Sequence, residues 1–202
     1  MTVARQRLGM FGGAFDPPHN THAALIALAV EQLQLDELRV FPTGQAWHKQ
    51  RPLTPAVHRI AMATLAFSSI PRVLVDDRET RRSGPSYSVD TLRELQHEMP
   101  DADLFLIMGG DQARALTTWH DWAAILQLAI ICVAKRKDLT WGNTAFVPPD
   151  ALKSRFMRLE LPPSAISASE IRARVATHRS VAPLVCEPVA RYIDHHHLYQ
   201  TV

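Results

Sequence analysis

Two histidines, His19 and His22, stand three residues apart where an apolar run gives way to a helical pattern. The run is Leu8-Gly9-Met10-Phe11, the pattern starts at Ala23-Ala24-Leu25-Ile26, and Gly12, Gly13, Ala14, Phe15, Asp16, Pro17 and Pro18 lie between them. A strand, a glycine loop and a helix start in that order expose backbone N–H groups where an anion is favoured. His19 falls in the loop and His22 in the first helical turn, from which imidazole N–H groups can donate to phosphate oxygens. The segment therefore predicts a phosphate site, although it matches neither G-x-x-x-x-G-K-[ST] nor G-x-G-x-x-G. Imidazoles at this spacing also suit Zn²⁺, but no neighbouring Cys or Glu completes a ligand set, which argues against a protein-bound metal.

Four further segments carry groups suited to nucleotide chemistry. The stretch from Pro42 to Pro52 includes Gly44, His48, Lys49 and Arg51; its lysine either reaches a triphosphate as a point charge or belongs to a solvated loop. Ser83-Gly84-Pro85-Ser86-Tyr87-Ser88 leads into Val89-Asp90-Thr91-Leu92, a helix start that can hold a carboxylate or be an ordinary Ser88 cap. Gly109-Gly110-Asp111 follows an apolar run, where an acid suits ribose hydroxyls, and Trp119 offers a flat face for an aromatic ring or simply packs in the core. Ile166-Ser167-Ala168-Ser169-Glu170-Ile171-Arg172 reads as a capping box, which explains Ser167 and Glu170 but not the arginine one turn inside.

These groups need a scaffold, and the alternation of runs describes one. Strand-like runs at Leu8–Phe11, Leu38–Phe41, Val73–Val75, Leu104–Met108, Leu128–Ala134 and Phe156–Leu159 alternate with helical patterns, which predicts parallel βαβ units in a doubly wound sheet. Thr54-Pro55 marks the start of a helix over Ala56–Phe67, and Ser88 that of a helix over Val89–His97. Ligands bind at the carboxyl ends of such strands, which is where the four segments fall. A length of 202 residues fits a single domain spanning 1–202. With 47% hydrophobic and 21% charged residues, extended disorder is excluded, and a net charge of +2 gives no ground for nucleic-acid binding. Cys132 and Cys186 suggest no disulfide framework, Cys132 lying in an apolar run. No run reaches transmembrane length and Met1–Arg7 lacks an apolar core, so the cytoplasm is the expected location. His195-His196-His197 reads as a solvated surface feature.

The combination G-G-x-F-D-P-x-H-x-x-H with Ile166-Ser167-Ala168-Ser169-Glu170-Ile171-Arg172, some 150 residues later, resembles the nucleotidyltransferase superfamily. The segments around Lys49, Tyr87-Ser88 and Gly109-Gly110-Asp111…Trp119 are similar to those of bacterial nicotinate-nucleotide adenylyltransferases. The resemblance implies a Rossmann-like fold and transfer of the adenylyl group of ATP to nicotinate mononucleotide. It implies catalytic roles for His19, His22, Lys49 and Arg172, with His22 at the α-phosphate. ATP would also meet Gly12, Gly13, Ala14, Phe15, Gly109, Asp111, Ile166 and Ser167. Tyr87, Ser88, Trp119, His120 and Arg136 would hold the acceptor. Mg²⁺ would enter with ATP, no tightly bound cofactor is implied, and self-association is left open. The rival readings are a sister transferase acting on nicotinamide mononucleotide, pantetheine phosphate or another small phosphate, and a nucleotide-sensing module without turnover.

Overall fold

A computed structural model describes residues 5–45, 52–136, 150–162 and 166–200. Its centre is a six-stranded parallel sheet in the order β3-β2-β1-β4-β5-β6. The strands are β1 (Arg7–Gly13), β2 (Glu37–Pro42), β3 (Val73–Val75), β4 (Asp103–Gly109), β5 (Ala129–Arg136) and β6 (Phe156–Leu161). All six expected runs form strands, and the doubly wound expectation holds. Helices α1 (Asn20–Gln32), α2 (Ala56–Phe67), α3 (Arg78–Arg81), α4 (Ser88–Glu98), α5 (Gly110–Ala115), α6 (Trp122–Leu128), α7 (Ala168–Ala176) and α8 (Glu187–His195) complete the described elements, with 3₁₀ turns at Leu116–Thr118 and Asp150–Arg155.

Side chains alternate across a strand, so an unbroken apolar strand feeds two cores. Phe105 and Ile107 of β4, with Cys132 of β5, pack beneath Leu25, Ile26 and Ala29 of α1 and Ala63 and Phe67 of α2. Leu104, Leu106 and Met108, with Ile131 and Val133, meet Val89, Leu92 and Leu95 of α4 and Ile125 and Leu126 of α6 on the other face. A third cluster joins Met62 of α2 to Ile171, Val181, Val185, Val189 and Ile193. It anchors α7 and α8 to α2 and so carries Arg172 to the end of β1. Cys132 is fully buried, as its apolar run implies, and burial pushes its thiol up to about 12. Among the described residues no helix is long and apolar enough to cross a membrane.

Local starts of helices depart from expectation in two places. Pro55 occupies the N-cap of α2, while Thr54 uses its N–H on Asp16 and its C=O on Arg59. Ser88 is the first helical residue of α4 behind Tyr87, and no side chain caps that end. Ser167 does cap α7, accepting from the Glu170 N–H at 3.2 Å, but the Glu170 carboxylate turns to Arg174 instead of closing the box.

Gly9 sits where the core beneath α1 and α2 leaves no room. A Cβ there would lie 2.6 Å from Leu35 Cδ1, 3.1 Å from Leu38 Cγ and 3.2 Å from Ile107 Cδ1. Gly9→Ala is expected to cost about 1–3 kcal/mol of stability through overpacking, read as a lower urea midpoint at unchanged m.

Candidate active site

The strand order reverses between β1 and β4, whose partners lie on opposite sides. Such a switch point opens a crevice at the carboxyl ends of the two strands. Gly12, next to last in β1, and Gly109, the last residue of β4, lie there, and a Cβ on either would meet nothing within 4 Å. Crowding inside the protein therefore does not explain these two glycines; they leave the backbone bare towards the crevice, which suits close approach of a ligand.

The turn from β1 to α1 is held tightly. Phe15 takes a left-handed φ of 46° and turns its ring inward against Phe11, His22 and Phe67. Gly13 permits this, because a Cβ would stand 3.0 Å from that ring. Asp16 follows, 2% exposed, its peptide to Pro17 being cis. Its carboxylate accepts from the Thr54 N–H at 3.2 Å and from the Tyr199 hydroxyl at 2.7 Å. The Asp16 carbonyl accepts from Arg172 Nη1 at 2.7 Å, while Arg172 Nη2 donates to Ser169 Oγ at 3.0 Å. Buried Arg59 donates to the carbonyls of Ala14 at 3.0 Å and Thr54 at 2.8 Å. Burial lowers its pKa from the usual value, and the nearby Asp16 opposes the shift.

His19 is the N-cap of α1 and His22 stands three residues inside, as expected. Their rings stack with centroids 3.7 Å apart and planes 20° from parallel. The His19 N–H donates to His22 Nδ1 at 3.3 Å, so the proton of a neutral His22 ring lies on Nε2. His19 is 8% exposed, and burial lowers its pKa to about 4, leaving it neutral near pH 7. Its Nδ1 is buried with no hydrogen-bond partner among the described residues. Buried polar atoms are rarely left so.

The turn before α4 is held against the chain leaving β2. The Ser86 hydroxyl accepts from the Gly44 N–H at 3.1 Å, and the Ser86 N–H donates to the Gln45 carbonyl at 3.2 Å. A Cβ on Gly44 would fall 2.1 Å from the Glu79 carbonyl oxygen, so glycine is required there. Glu79 is buried beneath this turn and accepts from the Thr91 hydroxyl at 2.8 Å; desolvation pushes its pKa up to about 7. Tyr87 and His120 stack at 4.3 Å, and half-buried Trp119 and Tyr87 both pack against the second core. Asp111 is exposed in the first turn of α5, bonded to Arg114. Ser88 begins α4, and Ile166 packs against the third core cluster. Arg136 is the last residue of β5; its side chain and the whole of Lys49 lie outside the described residues.

The structure thus brings together His19, His22, Arg172, Gly12, Gly13, Ala14 and Phe15, and gathers Tyr87, His120 and Trp119 separately. Sequence reasoning missed Arg59, Glu79, Ser86 and Tyr199 and gave Asp16 no role. Only Arg59 left a trace, as a charge on the face of α2 that also carries Met62 and Ala63. The His195–His197 run is exposed, as expected, with His196 lying against Tyr192 and His58. Among the described residues no three His, Cys, Asp or Glu side chains are grouped to hold a metal.

A cytidylyltransferase-like family matches residues 10–174. A protein of Albidiferax ferrireducens named "probable nicotinate-nucleotide adenylyltransferase" is 62% identical, covering 97% of this chain and 99% of its own. One of Methylibium petroleiphilum with the same name is 42% identical over 96% and 93%. Among solved structures, a Plasmodium falciparum nicotinic acid mononucleotide adenylyltransferase complexed with NaAD superposes with a TM-score of 0.76 at 17% identity, covering 96% of this chain and 98% of its own. At that identity the likeness concerns the fold.

The two buried titrating groups pull stability in opposite directions. Between pH 6.5 and about 4 the unfolded chain binds a proton that native His19 refuses, so this contribution is full above 6.5 and is lost as pH falls. Native Glu79 keeps its proton to about 7 against 4.5 unfolded, so its contribution is full below 4.5 and is lost as pH rises. Each is worth at most about 3 kcal/mol. Glu79→Gln is expected to melt at temperatures that climb from pH 4 to 6.5, and His19→Gln at temperatures that fall from pH 4.5 to 7, with the wild type flatter than either. Parallel melting profiles in all three proteins would refute the assignment.

Proposed function

Because this chain belongs to the nicotinate-nucleotide adenylyltransferase family, we propose that the β1/β4 crevice carries adenylyl transfer from ATP to nicotinate mononucleotide. The products are deamido-NAD (nicotinate adenine dinucleotide) and pyrophosphate, a step of NAD biosynthesis. The observation that carries the reading is the stacked His19–His22 pair at the start of α1, with Arg172 tied to the same turn.

A phosphate oxygen of nicotinate mononucleotide attacks the α-phosphorus of ATP, and the bond to the bridging oxygen of pyrophosphate breaks. The acceptor phosphate is already a nucleophile, so the protein needs no covalent intermediate. Its work is to align two anions and neutralise the charge that grows on the leaving group. His22, with its ring proton on Nε2, donates to the α-phosphate as charge builds. A phosphate oxygen near His19 raises its depressed proton affinity and supplies a partner for the ring. Arg172 and Lys49 hold the β- and γ-phosphates. Gly12 and Gly109 let the nucleotide lie against the strand ends, with Asp111 turning from Arg114 to the ribose. Tyr87, Ser88, Trp119 and His120 receive the pyridine ring and its carboxylate, and Arg136 the acceptor phosphate. Imidazole and guanidinium groups are poor partners for a hard cation, so Mg²⁺ enters on the phosphates as part of the ATP substrate. The enzyme works in the cytoplasm without nucleic-acid or membrane partners.

Pyrophosphate release from ATP and Mg²⁺ tests the reading, with nicotinate and nicotinamide mononucleotides compared in parallel. Preference for the acid is expected; preference for the amide would overturn the acceptor site, and silence with both in folded protein would leave another small phosphate acceptor or the sensing module. His22→Ala is expected to lower kcat by about 100-fold or more while the KM for ATP moves by less than about threefold. Equal losses in both would contradict its place at the α-phosphate.

A further inference from the structure

The turn that presents His19 and His22 is braced from a residue 183 positions away. Tyr199 lies beyond α8 in a left-handed conformation with φ of 64°, packed with Leu198 against the third core cluster. Its hydroxyl donates to one carboxylate oxygen of Asp16 at 2.7 Å, and the other oxygen accepts from the Thr54 N–H at 3.2 Å. The Thr54 side chain hydrogen-bonds the same phenol. Burial and the adjacent Asp16 carboxylate hold the phenol above its ordinary pKa, so it stays a donor at every working pH.

Building on the function proposed for this site, we propose that Tyr199 is a positioning residue for adenylyl transfer. Its hydroxyl fixes the Asp16 carboxylate, and through Asp16 it fixes both the backbone leading to His19 and the carbonyl that Arg172 grips. Asp16 is the one residue of the turn bonded to the entry of α2, to the C-terminal tail and to α7. With the phenol donor gone, the buried carboxylate must seek another partner, and the peptide carrying its carbonyl moves with it. Arg172 and the histidine pair then lose their common reference. A displacement of about 1 Å in a positioning group is enough to cost on the order of 100-fold in rate.

Tyr199→Phe keeps the ring and removes only the donor. The expected result is a fall in kcat of about 10- to 100-fold, with the KM for nicotinate mononucleotide within about twofold and an unchanged far-UV circular dichroism spectrum. Asp16→Asn is expected to fall at least as far, and the double variant no further than Asp16→Asn alone, because the hydroxyl acts only through Asp16. Wild-type kcat in Tyr199→Phe, or additive losses in the double variant, would overturn the inference and leave the proposed function standing. A wild type silent with both acceptors removes the function instead. Positioning is then decided by ¹³C-edited imidazole signals of His19 and His22, which are expected to shift in Tyr199→Phe and which overturn it if they stay. Should Tyr199→Phe not fold, Thr54→Val, which removes only the hydroxyl that holds the phenol, is expected to lower kcat by at least about threefold, and wild-type kcat there overturns it.

Discussion

A buried carboxylate is costly unless its oxygens are met by donors, and at Asp16 that requirement ties the molecule together. Two of them come from far along the chain, the Thr54 N–H ahead of α2 and the Tyr199 hydroxyl in the tail after α8, and Arg172 of α7 grips the carbonyl of the same residue. Three distant segments must therefore converge before the turn has one conformation. The third core cluster makes the convergence possible by gluing α7 and α8 to α2 with apolar contacts. The apolar cores supply the driving force; Asp16 selects the register in which they come together.

The distribution of buried polarity follows the same logic. Among the described residues the buried polar and charged side chains are Asp16, His19, Arg59, Glu79 and Thr91. The first three surround the histidine turn, and the last two support the turn before α4. The other fully buried side chains among the described residues are apolar. Burying such groups opposes folding, so their concentration around one crevice marks where the sequence has been shaped by something other than stability. The histidines show what it secures: a stacked pair whose buried member, His19, stays neutral and carries no charge into the interior.

The scaffold was legible because its signals are local. Six apolar runs at parallel-sheet spacing became six strands, and both faces of each central strand proved buried, as continuous apolar runs require. His19 and His22 were legible for the same reason, since a helix start follows from its own neighbours. Tyr199 and Glu79 were not. Nothing in Leu198-Tyr199 says that the phenol meets an aspartate at position 16, and nothing in Arg78-Glu79-Thr80 distinguishes a buried acid from a solvated one. The caps at Thr54 and Ser88 were misread in the complementary way: local propensity favoured both, but Thr54 was recruited to Asp16, and Tyr87 took the position before α4.

The distance between Asp16 and Tyr199 also has a temporal side. A ribosome adds residues at about 5–20 per second, so the turn is synthesised on the order of 10 to 40 s before its phenol donor exists. For about half of that interval β1 also lacks one of its two neighbours, since β4 begins only at Asp103. The emerging chain carries His19 and His22 long before it can arrange them. Competence to handle ATP is thus withheld from the growing polypeptide and appears late, when the tail folds back onto the turn that was made first.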